Sequence, residues 1–154
     1  MNNFDNKSVL LAEDDPNDVE LTLAALKEHK LANRVVVVQD GAEALDYLYR
    51  KGRFSDRPAG NPIVVLLDLK MPKVDGLEVL RQIKHNPAFK SIPVVVLTSS
   101  RQDQDIIESY QLGVNAYVVK PVAFAEFVKS VQHIGLFWML TNEPPAGTLD
   151  QLSG

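Results

Sequence analysis

The sequence contains no cysteine and no excess of basic side chains. Without thiols, it can form neither disulfides nor cysteine nucleophiles nor cysteine-based metal sites. The 154 residues carry 16 basic and 20 acidic side chains, for a formal net charge of −4. Broad nucleic-acid binding needs a basic surface to neutralise phosphates, so we expect no nucleic-acid partner.

Long hydrophobic runs are also missing. The longest apolar run, residues 134–140, is far too short to cross a bilayer. The first residues, MNNFDNKS, contain no apolar signal segment, so no export is indicated. We therefore expect a cytoplasmic protein that does not enter a membrane.

What the sequence does contain is an alternation of short β-branched runs with longer amphipathic stretches. The runs are nearly all apolar, which is typical of strands that are covered on both faces. They occupy residues 8–12, 34–38, 63–67, 93–97 and 116–119. The amphipathic stretches predict five helices that begin near residues 15, 42, 75, 103 and 123. This alternation predicts an α/β sandwich with a parallel sheet.

Local signals mark several boundaries of these elements. Asp15 before Pro16 predicts the start of the first helix, and Asp75 followed by Glu78 resembles a capping box at the start of the third. Gly113 predicts the end of the fourth helix. The stretch 51–62, rich in glycine, proline and charge, predicts a long loop. We expect one domain over residues 8–141, with an N-terminal extension (1–7) and a loose tail (142–154).

Polar side chains follow four of the predicted strands. Right-handed crossovers place the carboxyl ends of parallel strands along one edge of the sheet, where ligands bind. The residues that reach this edge are Glu13, Asp14 and Asp15 after the first strand, Asp68 after the third, Thr98 at the fourth and Lys120 after the fifth. The topology can therefore bring acids, a hydroxyl and a lysine together.

This combination predicts phosphoryl chemistry at a metal site. Clustered carboxylates repel one another unless a cation is present or their pKa values rise, and an oxygen-only ligand set favours Mg²⁺. A carboxylate beside Mg²⁺ can attack a phosphoryl group and form an aspartyl-phosphate. Glu13 and Asp14 would then bind the metal and Asp68 would be the nucleophile. Thr98 and Lys120 would stabilise the phosphoryl oxygens.

Each of these residues also has a purely structural interpretation. Asp68 and Thr98 can cap a helix or form a turn, and Asp15 is best explained as the cap of the first helix. Lys120 alone is most simply a solvated lysine. The functional interpretation therefore depends on the joint pattern rather than on any single residue.

Four segments resemble the receiver domain of two-component response regulators. They are LLAEDDP (10–16), VVLLDLKMPKVDGLEVL (64–80), VVVLTSS (94–100) and GVNAYVVKP (113–121), and the resemblance extends over about residues 8–138. It implies a flavodoxin-like (βα)₅ fold with the strand order 2-1-3-4-5. It also implies a signalling protein rather than a conventional enzyme, one that catalyses its own phosphotransfer and autodephosphorylation.

The resemblance assigns a role to each residue at the sheet edge. Asp68 corresponds to the phosphoacceptor, and Glu13 and Asp14 correspond to the acidic metal-binding pair. Glu13 stands where the family more often has aspartate, and its longer side chain can reach the metal through water. The remaining assignments are the backbone carbonyl of Lys70 on the metal, Thr98 and Lys120 on the phosphoryl group, and Thr98 with Tyr117 as the conformational switch.

Two further segments are similar to the small response regulators that are paired with bacterial phytochromes, particularly in cyanobacteria. They are the long loop 51–62 and the stretch FWMLTNEPP (137–145). This similarity implies a light-regulated sensor histidine kinase as the partner. No output domain follows in this sequence, so we expect output through contacts with a downstream protein, whose identity is unknown, or through onward transfer of the phosphoryl group.

Residues 134–140 are apolar around most of a helical circumference, more than packing on a sheet requires. We expect the remainder to form a homodimer interface that includes Phe137, Trp138 and Leu140. Two alternatives are that the loop 51–62 or the tail covers this surface, or that the kinase does.

Three alternative functions follow from the same fold class. A haloacid-dehalogenase-like phosphatase would need a second acid two residues after its nucleophile, where this chain has Lys70. A flavodoxin-like module would need a phosphate loop after the first strand, where the acidic Glu13-Asp14-Asp15 would repel the flavin phosphate. A degenerate receiver used only as a scaffold would lack some of the key residues, and here all of these positions are filled.

Overall fold

The computed structural model describes residues 8–27, 35–98, 108, 110–114 and 116–119. Short strands alternate with helices along this part of the chain. The elements are β1 (Val9–Ala12), α1 (Pro16–Lys27), β2 (Val35–Val38), α2 (Gly41–Tyr49), a 3₁₀ turn (Gly52–Phe54), β3 (Val64–Leu67), α3 (Gly76–His85), β4 (Val94–Thr98) and β5 (Ala116–Val119).

The strands form one five-stranded parallel sheet in the order β2-β1-β3-β4-β5. This confirms the predicted fold class and strand order. Ala12 at the end of β1 is in register with Val38 at the end of β2 and with Leu67 at the end of β3. The carboxyl ends of these three strands are therefore level, and the residues that follow them meet at one edge.

Both faces of the sheet are covered, as the nearly continuous apolar runs predict. All residues of β1 and β3 are buried, and alternate residues point to opposite faces. Leu10 and Ala12 belong to the core that also contains buried residues of α2 and α3, whereas Val9 and Leu11 pack with Leu26 of α1. The two cores hold the sheet edge in place from both sides.

An aspartate caps the start of each of the three helices α1, α2 and α3. The carboxylate of Asp15 accepts the Asn17 N–H at 2.8 Å, which confirms its predicted role as a cap. Asp40 accepts the Glu43 N–H, and Asp75 accepts the Glu78 N–H at 3.0 Å. The Asp75 half of the predicted capping box is therefore present.

The loop between α2 and β3 is more ordered than its composition indicates, because it is built around the Arg57 guanidinium. This group donates to the backbone oxygens of Tyr47 at 2.7 Å and Gly60 at 2.8 Å and lies 4.2 Å from the centre of the Tyr47 ring. Burial lowers the pKa of Arg57 below its usual value. Arg57 thus caps the last turn of α2 and fixes the course of the loop.

Some sequence predictions lie wholly or partly outside the described residues. Glu108, Tyr110 and Gln111 are helical, and Gly113 follows with a φ of +83°, in agreement with a helix that ends at this glycine. The predicted fifth helix, Lys120, residues 134–140 and the tail are not among the described residues. Within the described part of the chain, no helix is both long and apolar enough to cross a membrane.

Candidate metal and phosphoacceptor site

Three carboxylates meet at the carboxyl edge of the sheet. Glu13, Asp14 and Asp68 each place a carboxylate oxygen within 4.8 Å of the others. Glu13 and Asp14 follow β1 and Asp68 follows β3, so residues far apart in sequence become neighbours because β1 and β3 are adjacent and in register. The structure thus brings together the three acids that the sequence predicted to lie at one site.

The backbone fixes where two of these residues leave the sheet. The Asp68 N–H donates to the Ala12 oxygen at 3.0 Å, and the Glu13 N–H donates to the Val38 oxygen at 2.9 Å. Both bonds continue the strand ladders by one residue beyond the strands themselves. The backbones at Glu13 and Asp68 are therefore held by the same kind of hydrogen bond as those of the strands.

The three acids differ in their exposure to solvent. Glu13 is 1% exposed and Asp68 is 5% exposed, whereas Asp14 lies at the surface. The Glu13 carboxylate accepts the Asp15 N–H at 3.3 Å, so part of its acceptor capacity is used within the turn. Asp14 is the carboxylate most open to a ligand that arrives from solvent.

The loop after Asp68 turns back immediately. The Lys70 N–H donates to the Asp68 carboxylate at 3.2 Å, while the Lys70 side chain is exposed. Gly76, the first residue of α3, packs against the Asp68 backbone so closely that a Cβ at this position would lie 2.2 Å from the Asp68 oxygen. Only glycine fits there without moving the backbone of Asp68.

The predicted hydroxyl and switch residues are placed by their strands. Thr98 is the last residue of β4 and is in register with Val119 of β5, and Tyr117 is in register with Val96. Thr98 therefore lies at the same end of the sheet as Asp68. Lys120, the residue after β5, lies outside the described part of the chain.

An ion pair at the same sheet edge as the acidic cluster was not identified from the sequence. The Lys73 ammonium lies 3.4 Å from the carboxylate of Asp40, which caps α2. The available signal was the position of Asp40 just after β2, at the same sheet edge as the other acids. Nothing in the sequence indicates that Lys73 takes part, because the distance from its ammonium to Asp40 depends on the conformation of the loop.

The donor set fits a hard divalent cation. It consists of carboxylate oxygens, with the Lys70 backbone near the Asp68 carboxylate, and contains no nitrogen or sulfur ligand among the clustered residues. Two of the carboxylates are almost fully buried, so their mutual repulsion is weakly screened unless a cation joins them.

Comparisons with known proteins give a consistent answer. The response regulator receiver domain model matches residues 9–132. The response regulator Rcp1 of Synechocystis sp. is 41% identical over 140 residues, which cover 91% of this chain and 94% of that protein. The solved Mn(2+)-bound form of Rcp1 gives a TM-score of 0.74, with 91% of this chain and 99% of that chain covered.

Two other solved relatives are similar over most of their length. The bacteriophytochrome response regulator RtBRR is 56% identical with a TM-score of 0.80, and the match covers 96% of this chain and 89% of that chain. The bacteriophytochrome response regulator AtBRR is 59% identical with a TM-score of 0.79, over 89% of this chain and 98% of that chain. With a family model that spans most of the sequence and relatives that share both its sequence and its fold, the chain belongs to the response regulator receiver domain family.

Proposed function

We propose that this receiver accepts a phosphoryl group on Asp68 from the phosphohistidine of a sensor histidine kinase. The observation that carries the proposal is the buried Asp68 carboxylate, which lies within 4.8 Å of the Glu13 and Asp14 carboxylates. The names of RtBRR and AtBRR link these relatives to bacteriophytochromes, and Rcp1 is similar over nearly the same span. We therefore infer a light-regulated kinase of the phytochrome type as the phosphodonor.

The transfer requires little covalent chemistry from the receiver. A carboxylate oxygen of Asp68 forms a bond to phosphorus while the bond between phosphorus and the kinase imidazole nitrogen breaks. The electron pair of that bond returns to the imidazole, and the product is an acyl phosphate. Water later attacks this phosphorus, which releases inorganic phosphate and restores the carboxylate. This second step is the autodephosphorylation that we include in the proposal.

The metal is proposed to be Mg²⁺, held by Glu13, Asp14, Asp68 and the backbone carbonyl of Lys70. When bound, it would supply positive charge for the phosphoryl oxygens and offset the repulsion between the carboxylates. The Mn(2+)-bound form of Rcp1 supports a divalent cation in a similar protein. Because Asp14 is exposed while Glu13 already accepts the Asp15 N–H, Asp14→Ala should weaken metal binding more than Glu13→Ala.

The response to phosphorylation is proposed to involve Thr98, Lys120 and Tyr117. Thr98 and Lys120 would contact the phosphoryl oxygens, and Tyr117 would move inward as Thr98 is drawn toward the acceptor. The position of Thr98 at the carboxyl end of β4 and that of Tyr117 within β5 are consistent with these roles. The outcome is a biased equilibrium between two conformations, which alters protein contacts with a downstream partner.

The domain is proposed to span residues 8–141 and to form a homodimer. The apolar residues 134–140 motivate the dimer, with Phe137, Trp138 and Leu140 as interface residues. A symmetric pairing of one surface with its own copy is the common arrangement for a small protein with such a patch.

Phosphotransfer from a labelled phytochrome-type kinase tests the acceptor. In Asp68→Asn the side chain keeps its size but is no longer a nucleophile, so the label should stay on the kinase. Asp15→Asn is the matched control, because Asp15 directly follows Asp14 but lies outside the three-carboxylate cluster, and asparagine also caps helices. It should accept label like the wild type. EDTA should stop transfer and added Mg²⁺ should restore it. Undiminished, stable labelling of Asp68→Asn would exclude Asp68 as the acceptor.

A further inference from the structure

We propose that the ion pair between Asp40 and Lys73 positions the loop that follows the phosphoacceptor, residues 69–75, for metal binding at Asp68. The inference rests on the proposed function of Asp68. It assigns Asp40 and Lys73 as positioning residues, since they act through the loop and not on the phosphoryl group.

The two ends of this loop are fixed against each other. The Gly76 N–H donates to the Leu69 oxygen at 2.9 Å, and a Cβ on Gly76 would lie 2.2 Å from the Asp68 oxygen. The Lys70 N–H donates to the Asp68 carboxylate. These contacts fix the first residues of the loop against its last. The residues in the middle of the loop need other contacts to hold them.

The middle of the loop is held by the start of α2. The Lys73 ammonium lies 3.4 Å from the Asp40 carboxylate. At the next residue, the Val74 oxygen approaches Gly41 so closely that a Cβ there would lie 1.8 Å from it. Two consecutive loop residues thus contact two consecutive residues at the start of α2.

Asp40 is a fixed partner in this contact. It is buried, and one of its oxygens accepts the Glu43 N–H at 2.8 Å as the cap of α2. The other oxygen faces Lys73, whose side chain is 69% exposed. Because Asp40 is anchored and Lys73 is not, the ion pair restrains the loop rather than the helix.

The backbone of Lys73 adopts a conformation that needs such a restraint. Its φ is +64°, in the left-handed region that a residue with a side chain seldom adopts. Such conformations persist where the surrounding contacts hold them in place, and they are frequent beside functional sites. The ion pair to Asp40 restrains Lys73 itself, and the close approach of the Val74 oxygen to Gly41 restrains the next residue.

The pair also links the loop to the part of the acidic cluster that follows β1. Asp40 follows β2, and the last residue of β2, Val38, accepts the Glu13 N–H. The backbone that leads to Asp40 is therefore hydrogen-bonded to the strand end that carries Glu13. The side chain of Asp40 is paired with the loop that follows Asp68. Loss of the pair should loosen Lys70 relative to the acidic residues.

The experiment compares Lys73→Met, Asp40→Asn, the double variant and Lys73→Arg with the wild type. Asparagine retains the ability to cap α2, and arginine retains the charge of Lys73. Arg81→Met is the control, because it removes another exposed ion pair, to Glu78, that lies within α3. For each protein, hydrogen exchange of the Lys70 amide is measured by NMR without metal, and Mg²⁺ affinity is measured by calorimetry.

Ion pairs with a solvent-exposed partner contribute little free energy, so we expect the exchange rate and the Mg²⁺ affinity to change by about threefold. Lys73→Met and Asp40→Asn should each exchange the Lys70 amide about threefold faster and bind Mg²⁺ about threefold more weakly. The double variant should be no worse than either single variant, since both remove the same contact. Lys73→Arg and Arg81→Met should behave like the wild type.

Unchanged Lys70 exchange in both single variants would overturn the inference, as would additive effects in the double variant. Faster exchange with unchanged Mg²⁺ affinity would also overturn it, because the loop would then move without consequence for the metal. Failure of the proposed function would look different: the wild type itself would neither bind Mg²⁺ nor accept label from acetyl phosphate. In that case the exchange data would still show whether the pair holds the loop.

Discussion

Replacement of Asp68 by asparagine should make the metal-free protein more stable and should reduce the stabilisation that Mg²⁺ provides. Asp68 and Glu13 are almost fully buried, and their carboxylates lie within 4.8 Å of each other and of Asp14. An amide at position 68 keeps the size of the side chain and can still accept the Lys70 N–H. The main change is the removal of one negative charge from a crowded cluster.

The size of the effect follows from Coulomb's law. Two unit charges about 5 Å apart repel by about 3 kcal/mol at an effective dielectric constant of about 20. The substitution also removes any attraction between the Asp68 carboxylate and cations near it, which reduces the gain. We expect the free energy of unfolding without metal to rise by about 1–2 kcal/mol.

Metal binding supplies the second half of the prediction. At a Mg²⁺ concentration about ten times the dissociation constant, a ligand that binds only the folded state adds about 1.4 kcal/mol to the free energy of unfolding. The wild type should gain this amount, and Asp68→Asn should gain much less because it lacks one of the three carboxylates. The two proteins should therefore differ most in EDTA and approach each other as Mg²⁺ is added.

Urea denaturation followed by far-UV circular dichroism, in EDTA and in Mg²⁺, measures both quantities. Asp15→Asn is the control, since it removes a negative charge from the residue after Asp14 but not from the three-carboxylate cluster. It should change stability little and should retain the full response to Mg²⁺. A less stable Asp68→Asn in EDTA, or one that gains as much from Mg²⁺ as the wild type, would refute the electrostatic reasoning.

The remaining predictions concern the loop, the switch and the dimer. Arg57→Ala should lower the free energy of unfolding by about 2–3 kcal/mol in urea denaturation, because several backbone oxygens lose a charged donor, and Arg57→Lys should recover less than half of this loss. Lys120→Ala should impair phosphorylation, whereas Tyr117→Ala should accept label normally and signal abnormally; equal loss of label in both would show that the two roles are not separate. Polar substitutions at Phe137 and Trp138 should turn a dimer into a monomer in analytical ultracentrifugation, and a wild type that is monomeric with and without phosphorylation would exclude the dimer.

The sequence predicts the strands well because their environment is simple. A parallel strand buried on both faces needs apolar residues throughout, and the run before Glu13 and the run before Asp68 meet this condition. The observed strands begin and end within one residue of the predicted bounds. Strand order is a different matter, since it depends on long-range pairing. It was implied by the family resemblance and not by the pattern itself.

The candidate site was predictable to the extent that it depends on strand ends. Glu13, Asp14 and Asp68 follow strands whose carboxyl ends share one edge of a parallel sheet, and the adjacency of β1 and β3 then makes them neighbours. Membership of the receiver family excludes the phosphatase and flavodoxin alternatives, in agreement with Lys70 at the position where the phosphatase would need an acid. The Asp40–Lys73 pair escaped prediction because it depends on a left-handed residue inside a loop.

The position of the acidic cluster explains how a small domain can hold three neighbouring negative charges. The strands that carry the cluster are anchored by two cores, in which each fully buried aliphatic side chain contributes roughly 1.5–3 kcal/mol. Repulsion of a few kcal/mol at the edge can therefore be tolerated without loss of the fold. The backbones of Glu13 and Asp68 are held by continued ladder bonds, so moving the strand ends apart would break these bonds. The repulsion can be relieved by a cation, or by movement of the loop that begins at Asp68. A change of charge on Asp68 should consequently be felt first in residues 69–75, and through Lys73 and Asp40 at the start of α2.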